Sequence, residues 1–331
     1  VIVVAVALVA CGPGPARRRG AANGSGAASR AVVAIVALPD YGTDVAVGAD
    51  GRVYVPVRTG TLVIVDPATA RVAAEVTLDG EPYAVAVNRD GRRAYVVDFL
   101  GQYVSVVDTR NAAVTTRIPV GTRRRPSLRP SAVASRDGTT VYVGDTARDH
   151  LVVVAGAVDE VSRDLFLDIH PAGVALPARG RFVYVAGCRL ACVDGTLLEI
   201  DTTTWAVTRR LWLASVPTGL VVTPDGRRAY VTNGREGTVS AIDLATERST
   251  TIAVGPEPIG VAIDDAGTRV YATSFAAGTL TAIATATDAV VGVLAIGAMP
   301  RAVAVSPDGR RAYVTSSSAI LSIVDLGPLR R

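Results

Sequence analysis

A chain of 331 residues with 49% apolar side chains is long enough to bury a substantial core. Its formal charge of +4 sits wholly in residues 1–30, which hold Arg17, Arg18, Arg19 and Arg30 and no acid, so the other 30 basic residues meet 30 acids. A formally neutral body argues against the basic face that nucleic-acid binding requires.

Residues 1–10 form an uncharged apolar run that ends at Cys11. Such a run is too short for a bilayer span, which takes about 20 residues, and fits the apolar region of a secretory signal. Its end, Leu8-Val9-Ala10-Cys11-Gly12, resembles the bacterial lipobox. The resemblance implies cleavage before Cys11, diacylglyceryl attachment to its sulfur, and an extracytoplasmic protein lipid-anchored to the cell membrane. The initiator Met and basic flank usual in that pattern do not precede it. Residues 12–30, rich in Gly, Pro, Ala and Arg, have linker composition. The folded unit is therefore expected over 31–331.

From residue 32 onward the chain repeats itself. Tyr54, Tyr95, Tyr142, Tyr184, Tyr230, Tyr271 and Tyr313 recur in matching contexts, spaced 41, 47, 42, 46, 41 and 42 residues apart. A glycine stands three or four positions before each, and five of these glycines follow Asp, the signal of a tight hairpin turn. One apolar run precedes each turn, as in Gly260-Val261-Ala262-Ile263, and another follows, as in Ala229-Tyr230-Val231-Thr232. A third run ends in Asp in most copies, at Asp66, Asp108, Asp201, Asp243 and Asp325. The fourth is more polar, as in Ala113-Val114-Thr115-Thr116-Arg117-Ile118. Strands covered on both faces by neighbouring blades read as continuous apolar runs, and an outermost strand that meets water alternates. Four such strands per copy make one propeller blade.

The seventh copy ends after its third strand, 320–325, and a spare strand, 32–38, precedes the first complete copy. Pairing these two completes seven four-stranded antiparallel blades and removes the open edges that a linear stack would have to cap. The expected fold is all-β, a seven-bladed β-propeller. Tyr230-Val231-Thr232-Asn233 and the copies at 223–231 and 306–314 resemble the YVTN-type β-propeller repeat family, over about residues 32–326. The resemblance implies the fold and says little of function, since propellers host binding modules, lyases and lactonases alike.

In such a ring the Asp-Gly turns and the turns after the third strand share one face. The second-to-third-strand loops and the blade-to-blade crossovers share the other, which varies more between copies and is the candidate binding face. Each crossover places one residue at the channel mouth: Thr43, Tyr83, Ser131, Ala172, Thr218, Ile259 and Arg301. The candidate ligand-binding residues of this face are Tyr83, Asp98, His150, His170, Asn233, Glu257 and Arg301. His150 and His170, with Asp145 or Asp149, lack the close ligand spacing of a metal site. Glu81 and Glu257 read as solvated loop acids before they read as general bases. No Gly-x-Ser-x-Gly, phosphate loop or dinucleotide fingerprint stands in a strand-to-helix setting, so no catalytic residue is assigned and no metal or cofactor is expected. Arg123, Arg124, Arg125 and Arg129, in an enlarged crossover, lack the interleaved aromatics that stack bases. Cys188 and Cys192 bracket an insertion in the fourth copy, and in an oxidising compartment they pair, closing a small loop worth at most ~2 kcal/mol.

The expectation is an exported, lipid-anchored, monomeric binding or scaffold propeller that engages a protein, peptide or envelope polymer. The alternatives are a propeller enzyme of the lactonase or lyase class, using loop-face acids and histidines, and a structural surface-layer-like protein. The scarcity of histidine and the lack of a catalytic constellation favour binding.

Overall fold

The computed structural model describes residues 31–88, 90–99, 103–120, 131–134 (backbone), 140–178, 180–189, 194–213 and 216–329. Seven four-stranded antiparallel sheets follow one another as the blades of a ring. Blades 1 to 6 span 46–77, 82–119, 131–166, 170–213, 217–253 and 258–295, each laid down from its innermost to its outermost strand. Blade 7 takes three strands from 300–325 and its outermost strand, Val32–Ala37, from the amino-terminal side of blade 1. That strand lies antiparallel to Ile320–Asp325, with Val36 opposite Leu321 and Ala37 opposite Ile320. The ring closes as the strand count requires.

Burial follows strand order. The second strand of blade 1, Val53–Val57, is buried at every position, and its outermost strand, Arg71–Thr77, is mostly exposed. The repeated tyrosines stand in the seams between blades, where Tyr54, Tyr95 and Tyr230 are completely buried. The Tyr230 hydroxyl donates to Asp288 at 2.9 Å, in the outer turn of blade 6. The second arginine of the Asp-Gly-Arg-Arg turns acts in parallel. Arg93 reaches Gly156 O at 2.8 Å and Arg228 reaches Thr285 O at 2.8 Å, each in the next blade. Arg311 donates to Pro67 O at 3.0 Å, carrying the same contact across the seam from blade 7 to blade 1.

The turns explain two further parts of the repeat. Gly226 has a φ of 71°, a left-handed conformation that glycine adopts without strain. The Asp that ends the third strand caps the outer turn: Asp66 accepts the N–H of Ala68 at 2.9 Å and Asp243 that of Thr246 at 2.8 Å. These backbone donors hold both carboxyls below the usual carboxylate range. Such acids serve the fold and are not free for chemistry.

Candidate ligand site in the channel mouth

The innermost strands pair with their own blade on one side only, and their inner edges face the central channel. In five blades the innermost strand is irregular at one place, between Pro82 and Ala84, Pro171 and Gly173, Pro217 and Gly219, Pro258 and Val261, and Pro300 and Val303. The residues skipped by the ladder include Tyr83, Ala172, Thr218, Ile259 and Arg301. A bulge re-aims the side chain it releases, and all five line one cavity of about 480 Å³ at the channel mouth. Blade 1 reaches the same arrangement differently. Pro56 has no N–H to pair, so regular pairing is confined to Ala46–Val47, and Thr43 donates its N–H to Pro56 O at 3.0 Å. The Thr43 hydroxyl lies 3.1 Å from Pro82 O, tying blade 1 to blade 2. Ser131 opens the innermost strand of blade 3, Ser131–Ala134, whose side chains lie outside the described residues.

Among the described residues, Arg301 and Asp44 are the charged groups of this wall, with His170 beside them. The Arg301 guanidinium carbon lies 5.3 Å from the ring centre of Tyr41, in cation–π range. Its Nη1 donates to Ser317 at 3.3 Å, and its Nε is buried without a hydrogen-bond partner among the described residues. Tyr83 stacks on Phe99 with ring centres 5.8 Å apart. Asp44 accepts the N–H of Val85 at 3.0 Å and of Val45 at 2.8 Å. The cavity gives it little solvent, and this desolvation outweighs the two hydrogen bonds, raising its pKa from 3.8 to about 6. Its titration is thereby moved close to neutrality. The rest of the wall is largely apolar, including Val174, Leu220, Val261 and Val303.

The other candidates are placed elsewhere. His170 lines the cavity and contacts Asp149, whereas His150 stands further out, 2.7 Å from Asp164 and edge-on to Phe166. Burial would raise the Asp164 pKa, but hydrogen bonds from Arg148 and His150 hold it below the usual range. Asp98 is buried beside Gly80, where an added Cβ would lie 2.3 Å from the carboxylate. Asn233 is wholly buried and donates to Thr238 at 3.0 Å and Ser240 at 2.9 Å. Glu257 is exposed in its crossover, with a φ of 52°. Among the described residues no group of three or more His, Cys, Asp or Glu side chains converges as a metal site would. Cys188 is buried in the cavity wall, while Cys192, Cys11, Arg123, Arg124, Arg125 and Arg129 lie outside the described residues.

Sequence reasoning missed Asp44, although the repeat marks it. The position after each mouth residue is Ala84, Ala132, Gly173, Gly219, Gly260 and Ala302 in the other six blades, and only blade 1 has an acid there. The small residues are packing requirements: a Cβ on Gly260 would fall 2.3 Å from Arg301 O. Tyr41, one step outside the ring, was missed for want of any such contrast.

The fold and its cavity define a seven-bladed propeller with a ligand-sized pocket in its channel mouth. Residues 178–318 match the family model described as SMP-30/Gluconolactonase/LRE-like region. Over 155 residues the chain is 24% identical to "Uncharacterized protein YncE" of Escherichia coli O157:H7, a match covering 44% of this chain and 42% of that protein. Among solved structures, a chain of Kuenenia stuttgartiensis Hydrazine Synthase superposes with a TM-score of 0.80 at 20% identity, over 93% of this chain and 99% of that one. That likeness concerns the fold alone.

Proposed function

We propose that the chain is a ligand-binding propeller, exported and held at a membrane through Cys11, with its ligand seated in the channel mouth. The observation that carries this reading is the cavity of about 480 Å³, in which, among the described residues, Arg301 forms no ion pair and Asp44 is the one carboxylate of the wall. Its size and mainly apolar lining with a few placed polar groups suit a small molecule or the end of a peptide or envelope polymer. The lipobox-like residues 8–12 support the address, and in that compartment Cys188 pairs with Cys192.

The test replaces Tyr83 with the photo-crosslinker p-benzoylphenylalanine in the native host. Illumination should capture a defined species that Arg301→Ala diminishes and that the same probe at Phe166, on the outer rim, does not capture. Identical products from both positions would reject the cavity as the site. For the address, Cys11→Ser should move the protein to the soluble fraction, and unchanged membrane association would reject the anchor.

A second reading is favoured by the SMP-30/gluconolactonase-like match and by the place of Asp44 in the cavity wall, where desolvation raises its pKa to about 6, a value suited to acid–base work. Hydrolysis of a sugar lactone that Asp44→Asn abolishes would establish a lactonase. Saturable binding of the captured species without turnover would establish the binding module.

A further inference from the structure

Sheets protect their outermost strands with charge, and four blades of this ring do so. Arg71 and Glu75 lie on the outermost strand of blade 1, Arg117 on that of blade 2, Arg163 on that of blade 3 and Arg209 on that of blade 4. Blade 5 has the polar but uncharged Ser249, Thr250 and Thr251 on its outermost strand, and blades 6 and 7 depart furthest. Their outermost strands read AVVGVLA over Ala289–Ala295 and VVAIVA over Val32–Ala37, without one polar or charged side chain. Yet they face outward: Val293 is 55% exposed, Val33 53% and Ile35 54%, and Val290 and Val291 are exposed as well. An uncovered apolar strip of this kind marks an interaction surface.

The two strands belong to neighbouring blades and are joined at their base. Val32 and Leu294 pack around Ala31 and Leu329 in one cluster. The short 3-10 turn Gly327–Leu329 seats between them, held by Arg269 Nε donating to Leu329 O at 2.9 Å. Gly292 makes room for this turn, since a Cβ there would fall 2.5 Å from the Leu329 side chain. The two strands thus flank one buried seam on the perimeter.

What covers it is indicated by where the chain enters the fold. Cys11 precedes Ala31 by 20 residues, and Ala31 leads directly into the Val32–Ala37 strand of the strip. An anchor at Cys11 therefore enters the ring at this strip and at no other part of the perimeter. The intervening sequence carries Arg17, Arg18 and Arg19 and no acid, the composition attracted to anionic headgroups.

We propose that the uncharged outer strands of blades 6 and 7 rest on a lipid surface, with Arg17–Arg19 against its anionic headgroups. This rests on the anchoring reading above in that the anchor delivers the strip to the membrane. The perimeter then faces the bilayer and the ring axis lies along it, so that the channel mouth opens sideways and stays accessible.

The test is amide hydrogen exchange of the full chain on vesicles of phosphatidylethanolamine and phosphatidylglycerol, against the Cys11→Ser chain in solution. If the host leaves Cys11 unlipidated, an amino-terminal histidine tag on nickel-chelating lipid supplies the tether, so failure of the anchor is read separately from failure of the strip. Exchange should slow several-fold in 32–37 and 289–295 and stay unchanged in 71–77, 113–119 and 160–166. The double variant Val33→Glu, Val293→Glu, altered only at exposed sites, should lose this protection while keeping its unfolding midpoint. Equal exchange with and without vesicles, or uniform slowing around the ring, would overturn the proposal. Protection that instead rises with concentration in the free Cys11→Ser chain would also overturn it, assigning the strip to a second copy.

Discussion

One carboxylate oxygen of Asp44 accepts the backbone N–H of Val85, in the next blade, at 3.0 Å, while the other accepts that of Val45 at 2.8 Å. A single side chain therefore fastens a seam between blades and places a titratable group in the cavity wall.

The first prediction concerns pH. The Asp44 pKa rises from 3.8 to about 6 on folding, so the folded chain holds this proton more tightly than the unfolded chain. Stability from this group is full below about pH 4, falls as pH rises toward 6, and is level above. At ~1.4 kcal/mol per unit the fall is at most ~3 kcal/mol, less what cavity solvent screens. Urea unfolding from pH 4 to 7.5 should show this slope in the wild-type protein and a flatter one in Asp44→Asn. Equal slopes would mean that Asp44 titrates alike in both states.

The second prediction concerns blade 4. Glu199 is buried and accepts hydrogen bonds from Arg209 Nε at 3.0 Å, Thr208 at 2.8 Å and the Tyr184 hydroxyl at 3.0 Å. Burial alone would raise its pKa, but these donors hold it below the usual range, so its contribution is present at neutral pH and lost as pH falls through the folded-state value. Arg209→Met leaves a buried carboxylate without its cation and should cost ~3–5 kcal/mol at pH 7. Adding Glu199→Gln should recover much of that loss. A loss under ~1 kcal/mol in the single variant, measured by urea unfolding, would show that solvent reaches the pair.

Much of this architecture was legible in the sequence. Tyr230 and Arg228 report the seam because the tyrosine recurs in every copy and the arginine contact recurs in blades 2, 5 and 7, and the unpaired strands at 320–325 and 32–38 required closure. The candidate site was legible in part. Loop type tells which face a residue occupies, but its distance from the axis depends on which strand carries it. Tyr83, His170 and Arg301 begin innermost strands and line the cavity. Asp98 and Asn233 end second strands and His150 begins a third, so all three stand further out. Asp44 belongs to no constellation of catalytic or ligating residues; its signal is a single break in an otherwise small-residue column.

A third prediction follows from the threonines of the later blades. Thr273 donates to Arg301 O at 2.7 Å, joining blade 6 to the wall of the cavity, and Thr232 does the same for Ile259 O at 3.3 Å. Thr273→Val should cost ~1 kcal/mol and leave Arg301 O without that donor. The double variant with Thr232→Val should be close to additive if each seam is independent. A strongly non-additive pair in urea unfolding would show that the blades share their strain around the ring.

The fourth prediction concerns closure. Val36 is buried with Leu321 and Ile323 in one cluster, and Leu38 donates its N–H to Ala319 O at 2.9 Å, so strand 32–37 contributes both packing and pairing to the last blade. Removing residues 1–38 would open the Ile320–Asp325 strand along its full length, the kind of edge that recruits another chain. The truncated protein should unfold at lower urea and self-associate in light scattering. A synthetic peptide of residues 31–38 should restore both the midpoint and the monomer, because it replaces the missing strand without rejoining the chain. The peptide also separates closure from general damage: a truncated protein that the peptide leaves unchanged has lost more than one strand. An unaltered midpoint without the peptide would mean that six complete blades and three strands hold the ring unaided.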